Sequence, residues 1–128
     1  MLNRVFIVDD NAAVRTRIRR LLETSGFEIC GEASDGLDAI ERAPELNPDL
    51  IILNVSMPRV NGLDAARKLR DTHPHVPILL NSVHAAVIRS EDSLPEGVSA
   101  VIDKRENILH CVLQLLPNPD AAQRGAAV

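Results

Sequence analysis

Two carboxylates, Asp9 and Asp10, stand side by side where the apolar run of "RVFIVDD" ends. A second apolar run, in "DLIILNVSMPRVNG", ends on an amide, Asn54, with Ser56 two residues on. "VPILLNS" closes on Ser82, and Lys104 follows "VSAVID". Brought to one place, these residues suit a phosphoryl group. Adjacent carboxylates offer the oxygen ligands that Mg2+ prefers. A lysine pairs with phosphoryl oxygens as a point charge. A serine hydroxyl can donate to one of those oxygens. Only the nucleophile is missing. A carboxylate attacks phosphorus with a full negative charge, whereas the amide oxygen of Asn54 has its lone pair tied up in resonance.

The elements that must position these residues are legible as hydrophobic periods. Val5 to Val8 form a short continuous apolar run, and "DLIILN", "VPILLNS" and "VSAVID" are of the same kind. "FEICGEA" alternates apolar with polar, as a half-buried edge strand does. Between them, "NAAVRTRIRRLLETSG" places Val14, Ile18, Leu21 and Leu22 at helical spacing, with Gly26 at its end. "DGLDAIERA" is a short helix stopped near Pro44. "GLDAARKLRDTH" carries Leu63, Ala66 and Leu69 on one side, and "AAVIRSED" is a weak helix. "RENILHCVLQLL" aligns Ile108, Cys111, Val112, Leu115 and Leu116.

Five strands alternating with five helices through short connections predict parallel pairing with right-handed crossovers. The expected fold is a three-layer α/β sandwich around a doubly wound sheet in the order 2-1-3-4-5. The alternating second strand belongs at its edge and the all-apolar first and third at its centre. Residues 1–116 form the expected domain. The stretch "PNPDAAQRGAAV", 117–128, has two prolines and no apolar period, and reads as a disordered tail or linker stub.

Composition narrows the function. The chain has 128 residues and a formal net charge of −4. That balance argues against a broad nucleic-acid surface, and Phe6 and Phe27, the only aromatics, supply little base stacking. No apolar run reaches the ~18 residues of a membrane span. The N-terminus lacks a secretion-signal layout, so a cytoplasmic location is expected. Cys30 and Cys111, far apart and in no metal spacing, read as buried thiols in a reducing compartment.

The motifs "FIVDD", "PDLIILNVSMPRVNG", "VPILLNSVH" and "AVIDK" resemble the receiver domain of bacterial two-component response regulators, over about residues 3 to 116. "GEASDGLDAI" and "SVH" resemble receivers that precede a helix-turn-helix DNA-binding domain. The resemblance implies a flavodoxin-like fold that is not an enzyme. It implies Mg2+ held by Asp9, Asp10, residue 54 and the carbonyl of Ser56. It also implies phosphoryl transfer from a histidine kinase or phosphotransfer protein onto position 54, with Ser82 and Lys104 contacting the phosphoryl group. Kinase docking near the arginine-rich first helix (Arg15, Arg17, Arg19, Arg20), pairing of two copies through the last two helices and strand, and DNA binding only through a separate output domain are further implications.

Asn54 is the main departure from that pattern. Asn and Asp are near-isosteric, so the expected result is an intact fold without the phosphorylation step. A pair of like charges ~5 Å apart costs about 3 kcal/mol at an effective dielectric of about 20. Loss of one carboxylate therefore eases repulsion in the metal-free site and weakens Mg2+ binding. Val101 stands where many receivers have an aromatic residue that swings inward. Arg105 stands where many have proline, and Asn81 where an apolar residue is usual.

Alone, each residue has a plainer role. Asp9 and Asp10 could be helix caps, Ser82 a helix-start cap and Lys104 a solvated charge. His73 and His75 lie in a polar loop, and His84 near the pocket rim.

Two functions compete: a phosphorelay receiver with a natural or engineered Asp-to-Asn change, and a pseudo-receiver that binds partners without phosphate. The three departures at Asn54, Val101 and Asn81 favour the second somewhat. An FMN binder would need a phosphate loop where "DDNAAV" places two acids, and a covalent phosphohydrolase would need a "DxDxT"-like run that is missing.

Overall fold

A computed structural model describes residues 3–89 and 94–116. The elements run β1 (Arg4–Val8), α1 (Ala12–Thr24), β2 (Glu28–Ala33), α2 (Gly36–Leu46), β3 (Leu50–Asn54), α3 (Gly62–Thr72), β4 (Ile78–Ser82), α4 (Ala85–Arg89), β5 (Ala100–Asp103) and α5 (Ile108–Leu115). All four strand pairs are parallel, in the order β2-β1-β3-β4-β5. The chain is thus the α/β sandwich expected, with β2 at one edge.

Side chains alternate across each strand, and each face recruits its own helices. Val5, Ile7, Leu50, Ile52, Leu79 and Ile102 pack with Ile18 and Leu22 of α1 and Ile108 and Val112 of α5. Phe6, Val8, Ile51, Leu53, Ile78, Leu80 and Val101 pack with the small side chains of α2, α3 and α4, including Ala39, Ala43, Ala65, Ala66 and Ala85. Burial on both faces is why the central strands are apolar without a break.

Asn11, Asp35, Asn61 and Asn107 start α1, α2, α3 and α5, each accepting a backbone N–H with its side-chain oxygen. The N-cap of α1 is therefore Asn11 and not Asp9 or Asp10.

Four sequence expectations need adjustment. Helix α2 does not stop at Pro44; it runs on to Leu46 and ends on Asn47 at φ 48°, whose N–H reaches the Ala43 carbonyl. Leu46 packs over Gly31, where a Cβ would lie 2.6 Å from Leu46 Cδ1. The Arg4 guanidinium donates to the Leu46 carbonyl at 2.8 and 3.3 Å. Those contacts offset the hydrogen bond that proline cannot make. Leu21 is 36% exposed, off the buried stripe of Ile18 and Leu22. Strand β2 does not alternate in burial, its middle residues Ile29 to Glu32 all being half-buried, and its register with β1 shifts between Val5 and Phe6. Cys30 and Cys111 are free and half-buried rather than buried, and burial raises both thiol pKa values. Ser90 to Asp92 of the expected fourth helix, and the tail 117–128, lie outside the described residues.

Candidate functional site

The carboxyl ends of β1, β3, β4 and β5 gather the residues singled out by chemistry. Asp9 is buried, at 2% exposure. Its charge is met inside the protein: Lys104 Nζ donates to Asp9 Oδ2 at 2.9 Å, and the Asn11 N–H donates to Asp9 Oδ1 at 2.9 Å. Arg15, from α1, donates to the Asp9 backbone carbonyl at 2.6 Å and to Glu32 at 3.0 Å. Asp10 is exposed.

Asn54 is the last residue of β3 and is 5% exposed. Its Nδ2 donates to Asp10 Oδ1 at 3.0 Å and to the Ser56 carbonyl at 2.9 Å. The orientation follows from chemistry. Turned over, the amide would aim its own oxygen at two further acceptors. Asn54, Asp10 and Ser56 are therefore one hydrogen-bonded group, and Asp9 with Lys104 another beside it.

Ser82 joins the site by position. It is buried at the end of β4, and the Lys104 N–H donates to its carbonyl at 3.2 Å. Its Oγ accepts the His84 N–H at 2.9 Å, the cap-like role. The loop from β3 to α3 is pinned where Ser56 sits. Gly62 donates its N–H to the Val55 carbonyl at 2.8 Å, and a Cβ on Gly62 would lie 2.1 Å from the Asn54 carbonyl oxygen. Gly62 is thus required by close approach of the backbone.

Sequence reasoning did not find the anchor of that loop. Arg59, at φ 67°, donates through Nε and Nη2 to Asp35 Oδ2 at 3.0 and 2.8 Å. The Asp35 carboxyl is held below the usual carboxylate range, chiefly by the Asp38 N–H and then by Arg59. Nothing local in the sequence links Asp35 to Arg59, 24 positions away. A second unexpected pair follows β5. Arg105 grips Asp103 through Nε at 2.9 Å and Nη2 at 3.0 Å, and with its own N–H lowers that carboxyl to about 2. Among the described residues no helix is long and apolar enough to cross a membrane. Nor does any group of three or more His, Cys, Asp or Glu residues there form a metal cluster.

The sheet order is that of a flavodoxin- or receiver-like fold. The family model of the response regulator receiver domain matches residues 5–113, and the chain belongs to that family. Its members are phosphoacceptor modules of two-component signal transduction rather than catalytic enzymes. The chemotaxis protein CheY of Thermotoga maritima is 37% identical over 104 residues, covering 81% of this chain and 87% of its own. The response regulator GacA of Pseudomonas viridiflava is 38% identical over 93 residues, 72% of this chain. The protein-glutamate methylesterase/protein-glutamine glutaminase of Trichodesmium erythraeum is 36% identical over 108 residues, 82% of this chain. The chain spans 41% of the GacA length and 31% of the methylesterase length. Among solved structures, the signal receiver domain of the putative response regulator NarL from Mycobacterium tuberculosis has a TM-score of 0.79 at 28% identity, covering 88% of this chain and 94% of its own. Chemotaxis protein CheY4 of Vibrio cholerae shares the fold, with a TM-score of 0.82 at 24% identity over 91% of this chain and all of its own (100%).

Proposed function

We propose that this chain is the receiver domain of a two-component phosphorelay regulator in which position 54, the phosphoacceptor position, takes no phosphoryl group. The observation that carries this reading is the pair of hydrogen bonds from Asn54 Nδ2 to Asp10 and to the Ser56 carbonyl. An amide held as a donor presents no nucleophile, and it consumes acceptors that a receiver turns toward its metal.

The donor set fits Mg2+ poorly. Asp9, Asp10 and the Ser56 carbonyl are the residues that would hold it, and a bound cation would neutralise charge at a phosphoryl group. Yet Asp9 is engaged by Lys104 and Asn11, and Asp10 by Asn54. Binding requires the Asn54 amide to turn away and give up a charge-assisted bond and a neutral one, together worth about 2–4 kcal/mol. Ser82 and Lys104 are the residues proposed to contact a phosphoryl group. The proposed upstream partner is a histidine kinase or phosphotransfer protein, docked beside α1. Residues 1–116 are the proposed domain, and any DNA binding belongs to a separate output domain.

A second reading, a pseudo-receiver that recognises partners without phosphate, is favoured by the same closed group. The amide supplies internally a hydrogen-bond donor to Asp10, where a cation would otherwise bind. The test is a pair of mass measurements after incubation with Mg2+ and acetyl phosphate. The protein is expected to stay unchanged at residue 54, and Asn54→Asp to gain one phosphoryl group. An adduct on Asn54, or on Ser56 as a substitute, would sink the proposal.

A further inference from the structure

We propose that the cleft between α1 and the turn from β5 to α5 binds a small organic carboxylate with a short apolar body. The cleft has a volume of about 360 Å³, and Arg17, Ile18, Leu21, Asn81 and Ile108 are among the residues that line it. That size lies within the range of small-ligand sites, ~300–1,000 Å³.

Two polar groups in the lining lack partners. Asn81 lies on β4 between Asn54 of β3 and Ile102 of β5 in the sheet register, on the face that Leu79 shares. It is 4% exposed. No described residue hydrogen-bonds its side-chain amide; as no side-chain nitrogen or oxygen among the described residues is sealed from solvent without a partner, the amide opens into the cleft, where a ligand could meet it. Arg17 is the second. The residue is solvent-exposed on α1, and its guanidinium has neither an ion pair nor a hydrogen bond among the described residues, which leaves it open to a ligand.

The remaining charges around the cleft cancel in pairs. Lys104 is bound to Asp9, Arg105 to Asp103 and Glu106 to Arg89. Of the charged residues in the lining, Arg17 is the one without a counter-ion among the described residues, which favours an anionic ligand. Ile18, Leu21 and Ile108 lie in the same lining, so the ligand needs an apolar portion. The exposed position of Leu21, unexplained by the core, fits a cleft wall. Asn81 adds a donor and an acceptor for the ligand's polar end. The cleft shares Lys104 with the strand-end site and adjoins Asn54 through Asn81. Its occupant would thus lie against Lys104, one residue of that site.

The experiment is a titration of the 15N-labelled full chain with hexanoate and benzoate, followed by NMR, with hexanamide, benzamide and inorganic phosphate as comparisons. Saturable shifts are expected at the Asn81 side-chain amide and at Ile18 and Ile108, with a Kd of ~1 mM or tighter. The neutral amides are expected to bind about tenfold more weakly. Arg17→Ala is expected to weaken the carboxylates by a similar factor while leaving the helix intact, since alanine is the best helix former. Asn81→Val is expected to weaken them as well; the readout is binding at the cleft and not an adduct at residue 54, which separates this site from the proposed silencing of position 54. Three results would each overturn the proposal. One is no saturable shift up to ~20 mM ligand. Another is equal binding of carboxylate and amide. The third is phosphate reproducing the same shifts at the same concentration.

Discussion

Lys104 Nζ and Asp9 Oδ2 meet at 2.9 Å although 95 positions separate them in the chain. The carboxylate is 2% exposed and the ammonium side chain 18% exposed, so the pair is largely shielded from water. Removing one partner leaves the other charge buried and uncompensated, which is far more harmful than losing a surface pair. Lys104→Ala is expected to destabilise the fold by about 2–4 kcal/mol. Asp9→Asn in the same chain is expected to return part of that loss. Urea unfolding of the two single variants and the double variant measures the coupling; strictly additive losses would show that the pair acts as two separate charges.

Restoring the carboxylate at position 54 removes the donor that ties Asp10 to Ser56. Without metal, Asn54→Asp is expected to be less stable than the protein itself. With Mg2+ at ~100 times its Kd, it is expected to gain about 2.7 kcal/mol by mass action. The protein itself is expected to gain less than ~0.5 kcal/mol under the same conditions. Thermal melts with and without Mg2+ read this difference. Equal gains in both proteins would show that the Asn54 amide offers no obstacle to the cation.

Gly62→Ala tests the pinning of the loop that carries Ser56. The added methyl would meet the Asn54 carbonyl oxygen at 2.1 Å, and backbone cannot yield as a flexible side chain can. A loss of about 1–3 kcal/mol is expected. Changes in amide chemical shift should concentrate at Asn54, Val55 and Ser56. A stable variant with undisturbed signals there would contradict the close approach.

The Asp103 carboxyl titrates near 2, below its ordinary 3.8, because Arg105 hydrogen-bonds it through its side chain and then its backbone. A carboxyl lowered on folding contributes stability that is fully present above the ordinary value. It is lost as the pH falls from 3.8 toward 2. Arg105→Ala is expected to move the Asp103 titration up toward the ordinary value and to reduce the pH dependence of stability in that window. Carboxyl carbon chemical shifts followed against pH supply the measurement. An unmoved midpoint would mean that another group lowers Asp103.

What the sequence determined by itself was the alternation of strands and helices and the end of the sheet at which to look. Continuous apolar runs such as "DLIILN" mark strands buried on both faces, and helical spacing such as that of Leu63, Ala66 and Leu69 marks the helices between them. These are local signals, set by neighbours a few positions away. The passage of α2 through Pro44 was not local, because Gly31 and Arg4 on other strands stabilise the last turn. Nor was the grip of Arg59 on Asp35, or the pairing of Lys104 with Asp9. The type of residue at position 54 could be read directly. Which way its amide faces was decided only when Asp10 and the Ser56 carbonyl arrived as two acceptors from different loops. Residue type and period are written along the chain, whereas the partner of a buried polar group is chosen by packing between distant segments.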